Sequence, residues 1–190
     1  MQKYSVIALL IGLFFLNVGC QQNGNFQTFK EDGETYIKPN VKNLVKFYEM
    51  PVEEWRTYLE TIQFSLIKKE PNYFTYQKGN TPEKLQTITR DEEQQILSIF
   101  WFNDEDDFTI KPFVQDFLTE NEAVWQTGNQ HFFKFEDKEK VYYIAYSNQA
   151  EEYENKPNSA YGADIIIEEV SIMNAATFEM LQQAEERELN

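Results

Sequence analysis

Between residues 64 and 148 the chain is a succession of short aromatic and β-branched runs separated by brief polar turns. Phe64 to Lys69 and Tyr73 to Lys78 flank Glu70-Pro71-Asn72, and Leu85 to Arg90 and Gln95 to Phe102 flank Asp91-Glu92-Glu93. Ala123 to Gln126 and His131 to Glu136 flank Gly128-Asn129, and Val141 to Ser147 follows a charged turn. Runs of this length favour a pleated surface, and connections this short leave no room for a crossover helix, so the runs pair as antiparallel hairpins. Asp164 to Met173 reads as a last, central strand, because Ile165, Ile166 and Ile167 follow one another without alternation. The expectation is a mostly antiparallel sheet of about six or seven strands.

Helical spacing brackets these runs. Asn40 is placed to cap a short helix over 41–49 with Val41, Leu44, Val45 and Tyr48 on one face, and Pro51 to open a second in which Val52, Trp55, Leu59 and Ile62 form a stripe. Pro112 to Leu118 reads as a third helix, and Ala175 to about Leu189 as a last one, with Phe178, Leu181 and Ala184 facing inward. The predicted class is α+β, with helices packed on one face of the sheet. A gapless shift of 59 residues lays Tyr58-Leu59 on Phe117-Leu118, Leu66 on Trp125, and Tyr73-Phe74-x-Tyr76 on Phe132-Phe133-x-Phe135. This reads either as a tandem helix-hairpin duplication or as two similar elements of the kind any α+β protein contains.

The first residues follow another logic. Lys3 precedes an apolar run, Val6 to Leu16, that is too short for a comfortable membrane span and has the length of a signal-peptide core. It ends in Asn17-Val18-Gly19-Cys20, and Cys20 is the only cysteine among 190 residues. These four residues resemble the lipobox of bacterial lipoproteins, in which a peptidase cuts before a diacylglycerated cysteine. In the family, leucine usually stands three residues before the cysteine, where this chain has Asn17. The resemblance implies a signal peptide over 1–19, acylation of Cys20, and a body anchored outside the cytoplasm. That places it in the cell envelope, at the outer membrane or its periplasmic face, since Gln21 rather than Asp follows the cysteine. Residues 20–40, with few aliphatics and several Gly, Asn and Gln, read as a flexible tether. Residues 41–173 then make a single α+β domain and 174–190 a C-terminal helix or tail.

Charge and residue types limit the chemistry. There are 32 Asp and Glu against 17 Lys and Arg, a formal charge of −15, and removal of 1–19 takes one lysine and no acid. Such a surface opposes nucleic acid and anionic head groups and suits a basic partner. With one cysteine and one histidine, a Cys/His zinc site cannot form, and His131, set among Phe132, Phe133 and Phe135, reads as structural. No Gly-x-Ser-x-Gly elbow, Gly-rich phosphate loop or His-Glu-x-x-His pattern is present. Asn103-Asp104-Glu105-Asp106-Asp107 offers oxygen ligands but lacks the glycine and distant glutamate of an EF-hand, and reads as a solvated connection. No cofactor and no metal is expected, and no catalysis.

The aromatics give the remaining signal. Phe100, Trp101 and Phe102 are consecutive, as are Tyr142 and Tyr143, so strand alternation sends at least one ring of each group to each face. A ring on an open face is a natural interface anchor, and burial of these rings between layers is the favoured alternative. The expected partner-binding set is Trp101 and Tyr153 as anchors, with Asp104, Asp106, Asp107, Glu151 and Glu152 as an acidic steering rim. Tandem helix-plus-sheet units on an acidic exported chain resemble β-lactamase-inhibitor-like envelope proteins, which bind other proteins through a sheet face rich in aromatics. The resemblance implies a non-enzymatic, protein-binding role of inhibitor type, and a lipid-anchored immunity protein whose acidic surface neutralises a basic toxin is a companion reading. The alternatives are an envelope carrier of a small ligand, which needs an enclosed apolar cavity, and a hydrolase, which needs facing carboxylates.

Overall fold

The computed structural model describes residues 26–31, 33–81, 84–103, 110–148 and 166–188, among which lie ten strands and four helices. A hairpin of β1 (Thr28–Glu31) and β2 (Glu34–Ile37) precedes α1 (Val41–Glu49) and α2 (Val52–Thr61). A meander follows: β3 (Ser65–Glu70), β4 (Tyr73–Thr81), β5 (Lys84–Asp91) and β6 (Ile96–Asn103). The pattern then recurs as α3 (Lys111–Glu120), β7 (Ala123–Thr127), β8 (Gln130–Asp137), β9 (Lys140–Asn148) and β10 (Ile166–Asn174), before α4 (Ala175–Glu188).

Strands β3 to β10 form one antiparallel sheet in the order β3-β4-β5-β6-β10-β9-β8-β7. The sheet therefore consists of two four-strand meanders joined along β6 and β10, with Ser98 opposite Ser171 near the seam's middle. Each meander follows a helix on the same face, and α3 starts 59 residues after α2. The internal correspondence is thus larger than a helix and one hairpin. It fails at Leu66 and Trp125, because a bulge in each edge strand sets Leu66 opposite Tyr76 but Trp125 opposite Phe132, whose ring lies on the other face.

Four expectations are corrected. The sheet has eight strands, not six or seven. Helices lie on both faces: α1, α2 and α3 cover the first, while α4 lays Phe178 on Tyr143 (stacked at 3.8 Å), Phe132 and Trp125 of the second. Ala184, expected inside, is exposed. Residues 26–40 are not tether, since Phe26 stacks on Phe47 at 4.0 Å and Ile37 is fully buried. The composition of that segment misled because its few apolar residues are the ones that pack.

The helices form where the spacing put them. Asn40 accepts from the Asn43 N–H at 2.9 Å and caps α1, whose Leu44 and Phe47 are buried; Trp55 and Leu59 of α2 are buried with them. Burial of each such side chain stabilises by about 1.5–3 kcal/mol. What fixes the helices in register is a set of buried polar side chains. Arg90 of β5 donates to the Phe47 and Met50 carbonyls at 3.0 and 2.7 Å, a cation at the end of α1 where the helix dipole is negative. Lys78 of β4 donates to the Ile62 carbonyl at 2.8 Å, just past α2, and pairs with Glu34. Glu168 of β10 accepts from the backbone N–H groups of Ile110 and Lys111 at 2.8 and 3.1 Å, an anion at the start of α3, and from the Tyr146 hydroxyl at 2.9 Å. Gln86 accepts from the Ile37 N–H and donates to its carbonyl, clasping the β1–β2 hairpin to the sheet at 2.9 and 2.8 Å.

Candidate functional site

Two surfaces carry the features of a binding site. The first is the second face of the sheet outside the footprint of α4. Thr75, Thr89, Ser98, Ser171 and Ala145 form one transverse row across five strands, and Gln77, Thr87, Phe100, Glu169 and Ser147 form the next. Leu85, Phe102 and Ile167 begin a third. In these rows Thr75, Thr87, Ser98, Ser147, Ser171, Ala145 and Ile167 are buried, and the half-buried Thr89, Phe100, Phe102 and Glu169 stand among them. Burial pushes the Glu169 carboxyl above the ordinary carboxylate range, against hydrogen bonds from Ser171 and Ser98 that favour its charged form. Beside it, the Ser147 hydroxyl is buried without a hydrogen-bond partner among the described residues. A cationic side chain arriving at this face would supply a counter-charge to Glu169.

The second surface is an open groove of about 1260 Å³ between α1 with the start of α2 and the β8–β9 turn. Val41, Val45, Met50, Phe135 and Tyr142 give it apolar lining, and Lys42, Lys46, Glu49, Glu54, Asp137, Lys138, Glu139 and Lys140 line it with both signs of charge. The volume exceeds the roughly 300–1,000 Å³ of small-molecule sites. Glu49 accepts from the Tyr142 hydroxyl at 2.7 Å and pairs with Lys140. Burial opposes ionisation of Glu49, but the bonds from Lys140 and Tyr142 and the charges of Lys140 and Lys138 outweigh it and hold the carboxyl below its ordinary range. Burial and the bond to Glu49 push the Tyr142 phenol well up. On the opposite wall, burial and the charge of Lys42 push the Lys46 ammonium down.

The residues expected from sequence fare differently. Trp101 is 1% exposed, set edge-on to Tyr36 at 4.8 Å and tilted against Phe29 at 5.6 Å, so it is a core residue and not an anchor. Alternation sends Leu97, Ile99 and Trp101 to the first face, and the β1–β2 hairpin covers Trp101 with Phe29 and Tyr36. Its neighbours Phe100 and Phe102 take the second face. Tyr142 is likewise buried on the first face and Tyr143 lies under α4. Cys20, Asp104, Asp106, Asp107, Glu151, Glu152 and Tyr153 lie outside the described residues. His131 sits in β8 opposite Tyr146. Among the described residues no three His, Cys, Asp or Glu side chains are placed to hold a metal ion, and no helix is long and apolar enough to cross a membrane.

Sequence reasoning missed Glu168 and Glu169. The signal was two adjacent carboxylates inside the apolar stretch Ile165 to Met173, since alternation must bury one on each face. It also missed the groove, whose walls come from residues some ninety positions apart. Neither a protein-family model, nor a curated protein, nor a solved structure matches the chain.

Proposed function

We propose that this is a lipid-anchored cell-envelope protein, held at the outer membrane or its periplasmic face through Cys20, with a non-enzymatic role in binding a basic protein. The observation that carries the reading is the placement of Phe100 and Phe102 on the second sheet face, in rows with Thr87, Glu169, Leu85 and Ile167. Rings that combine with hydroxyls around a carboxylate of raised pKa suit a partner that brings both apolar contact and positive charge. The formal charge of −15 speeds encounter with a cation.

Two measurements test it. Labelling with an alkynyl fatty acid should mark the wild type and not Cys20→Ala; a labelled alanine variant refutes the anchor. Capture from envelope extract by the wild type and by Phe100→Ala should yield a basic protein that dissociates faster from the variant, by about 2 kcal/mol if Phe100 is a hot spot. Equal retention by both, or an acidic partner, refutes the binding surface.

A further inference from the structure

The tether is short. Phe26 is fixed in the core, stacked on Phe47 and 4.4 Å from the Tyr58 ring, and it stands only six residues after Cys20. Fully extended, that length spans about 20 Å. An acyl group on Cys20 therefore keeps this corner of the body close to the bilayer surface. The groove at this corner is balanced overall, with Glu49, Glu54, Asp137 and Glu139 against Lys42, Lys46, Lys138 and Lys140, but its α1 wall carries lysines ahead of Glu49. The Lys46 ammonium lies 4.4 Å above the Phe26 ring, Lys42 stands one turn earlier on α1, and Lys138 occupies the β8–β9 turn across the groove. From Thr35 to Tyr48 there is no acidic residue, in a chain with 32 of them. Lys42 and Lys46 are like charges four apart on a helix, an arrangement unfavourable by itself, and neither makes an ion pair among the described residues. Glu49, the nearest acid on α1, is already held by Lys140 and Tyr142.

We propose that Lys42, Lys46 and Lys138 dock the body onto anionic phospholipid head groups of the membrane that holds Cys20, turning the second sheet face away from the bilayer. This rests on the reading of Cys20 as the lipid anchor. The overall negative charge opposes free binding to such a surface, yet once the chain is tethered it acts with the lysines: the acidic bulk is repelled and the lysine corner attracted, so the field selects one orientation. The second face, on the side opposite α1, is then presented to a partner.

The test uses the protein purified from membranes and reconstituted into vesicles of phosphatidylcholine alone or rich in phosphatidylglycerol. Amine acetylation of each lysine is read by mass spectrometry, together with the mass of the peptide that carries Cys20. The expected result is acetylation of Lys42, Lys46 and Lys138 about fivefold slower in the anionic vesicles. Rates at Lys68 on the β3 edge and Lys134 on β8 stay unchanged, and high salt abolishes the protection. In the Lys42→Gln/Lys46→Gln variant, with its circular dichroism unchanged, the protection of Lys138 should disappear. An unmodified Cys20 overturns the anchor reading and the docking with it. An acylated Cys20 with equal lysine rates in both vesicles, or with protection at Lys68 or Lys134 instead, overturns the docking alone.

Discussion

Glu168 offers the sharpest test of how the fold is held. Its two carboxylate oxygens take three donors: Oε2 the Ile110 N–H at 2.8 Å, Oε1 the Lys111 N–H at 3.1 Å and the Tyr146 hydroxyl at 2.9 Å. The residue is buried, so no water can replace a lost acceptor. In Glu168→Gln one oxygen becomes an amide nitrogen. Turned toward Ile110 it meets an N–H donor to donor; turned the other way it confronts Lys111 and Tyr146. At least one backbone N–H at the start of α3 is stranded, costing about 1–3 kcal/mol. Losing the negative charge at a helix N-terminus adds about 0.3–1 kcal/mol, and more in a buried setting. The sum of about 2–4 kcal/mol corresponds to a fall in melting temperature of roughly 5–15 °C for a chain of this size. Tyr146→Phe removes one donor and leaves the carboxylate its two backbone partners, so it should cost about 1 kcal/mol. Urea unfolding of both variants decides the matter. A Glu168→Gln variant within about 0.5 kcal/mol of wild type would refute the capping role, since surface substitutions behave that way.

Three other outcomes follow from the polar groups described above. Because burial raises the Glu169 pKa, the folded state binds that proton more tightly than the unfolded chain. Its contribution is complete below the ordinary carboxylate pKa and declines as pH rises through the raised value; Glu169→Gln should flatten this decline in melts taken from acid to neutral pH, and an unchanged slope would contradict it. Glu49 has the opposite sign: its contribution is present above the ordinary carboxylate pKa and lost as pH falls through the lowered value, so Glu49→Gln should remove acid-side dependence in the same melts. Gln86→Leu leaves the Ile37 N–H and carbonyl without their partner, and should cost about 2–4 kcal/mol in urea unfolding.

Local chemistry was legible and long-range chemistry was not. The Asn40 cap, the Val52–Trp55–Leu59–Ile62 stripe and the strand runs could be read because each depends on neighbours within a few residues. The central position of β10, between β6 and β9, was readable from the unbroken apolar run Ile165 to Ile167, a composition typical of interior strands. Which face Trp101 takes was not, because alternation gives parity without saying which parity meets the helices. The β1–β2 hairpin escaped notice because its hold on the body runs through Gln86 and Asn43, where Asn43 donates to the Gln27 and Lys38 carbonyls at 2.7 and 2.8 Å. A polar side chain that clasps backbone leaves no periodic trace. The groove and the lysine corner arise from α1 and a turn far along the chain, and no spacing rule joins them.

The seam between β6 and β10 sets the order in which the molecule can be completed. Within the group β3 to β6, and within the group β7 to β9, every pairing joins sequence neighbours, so both groups can close early. The two become one sheet only when β10, the last strand in the chain, enters between them. Until then Ile96 to Phe102 and Val141 to Ser147, the most apolar strands of the molecule, each present an open edge. A chain emerging from its N-terminus passes through that state every time, and its partners in that interval are other copies of itself. Truncation before residue 166 or a slow arrival of β10 would therefore show as aggregation, not as a smaller folded domain.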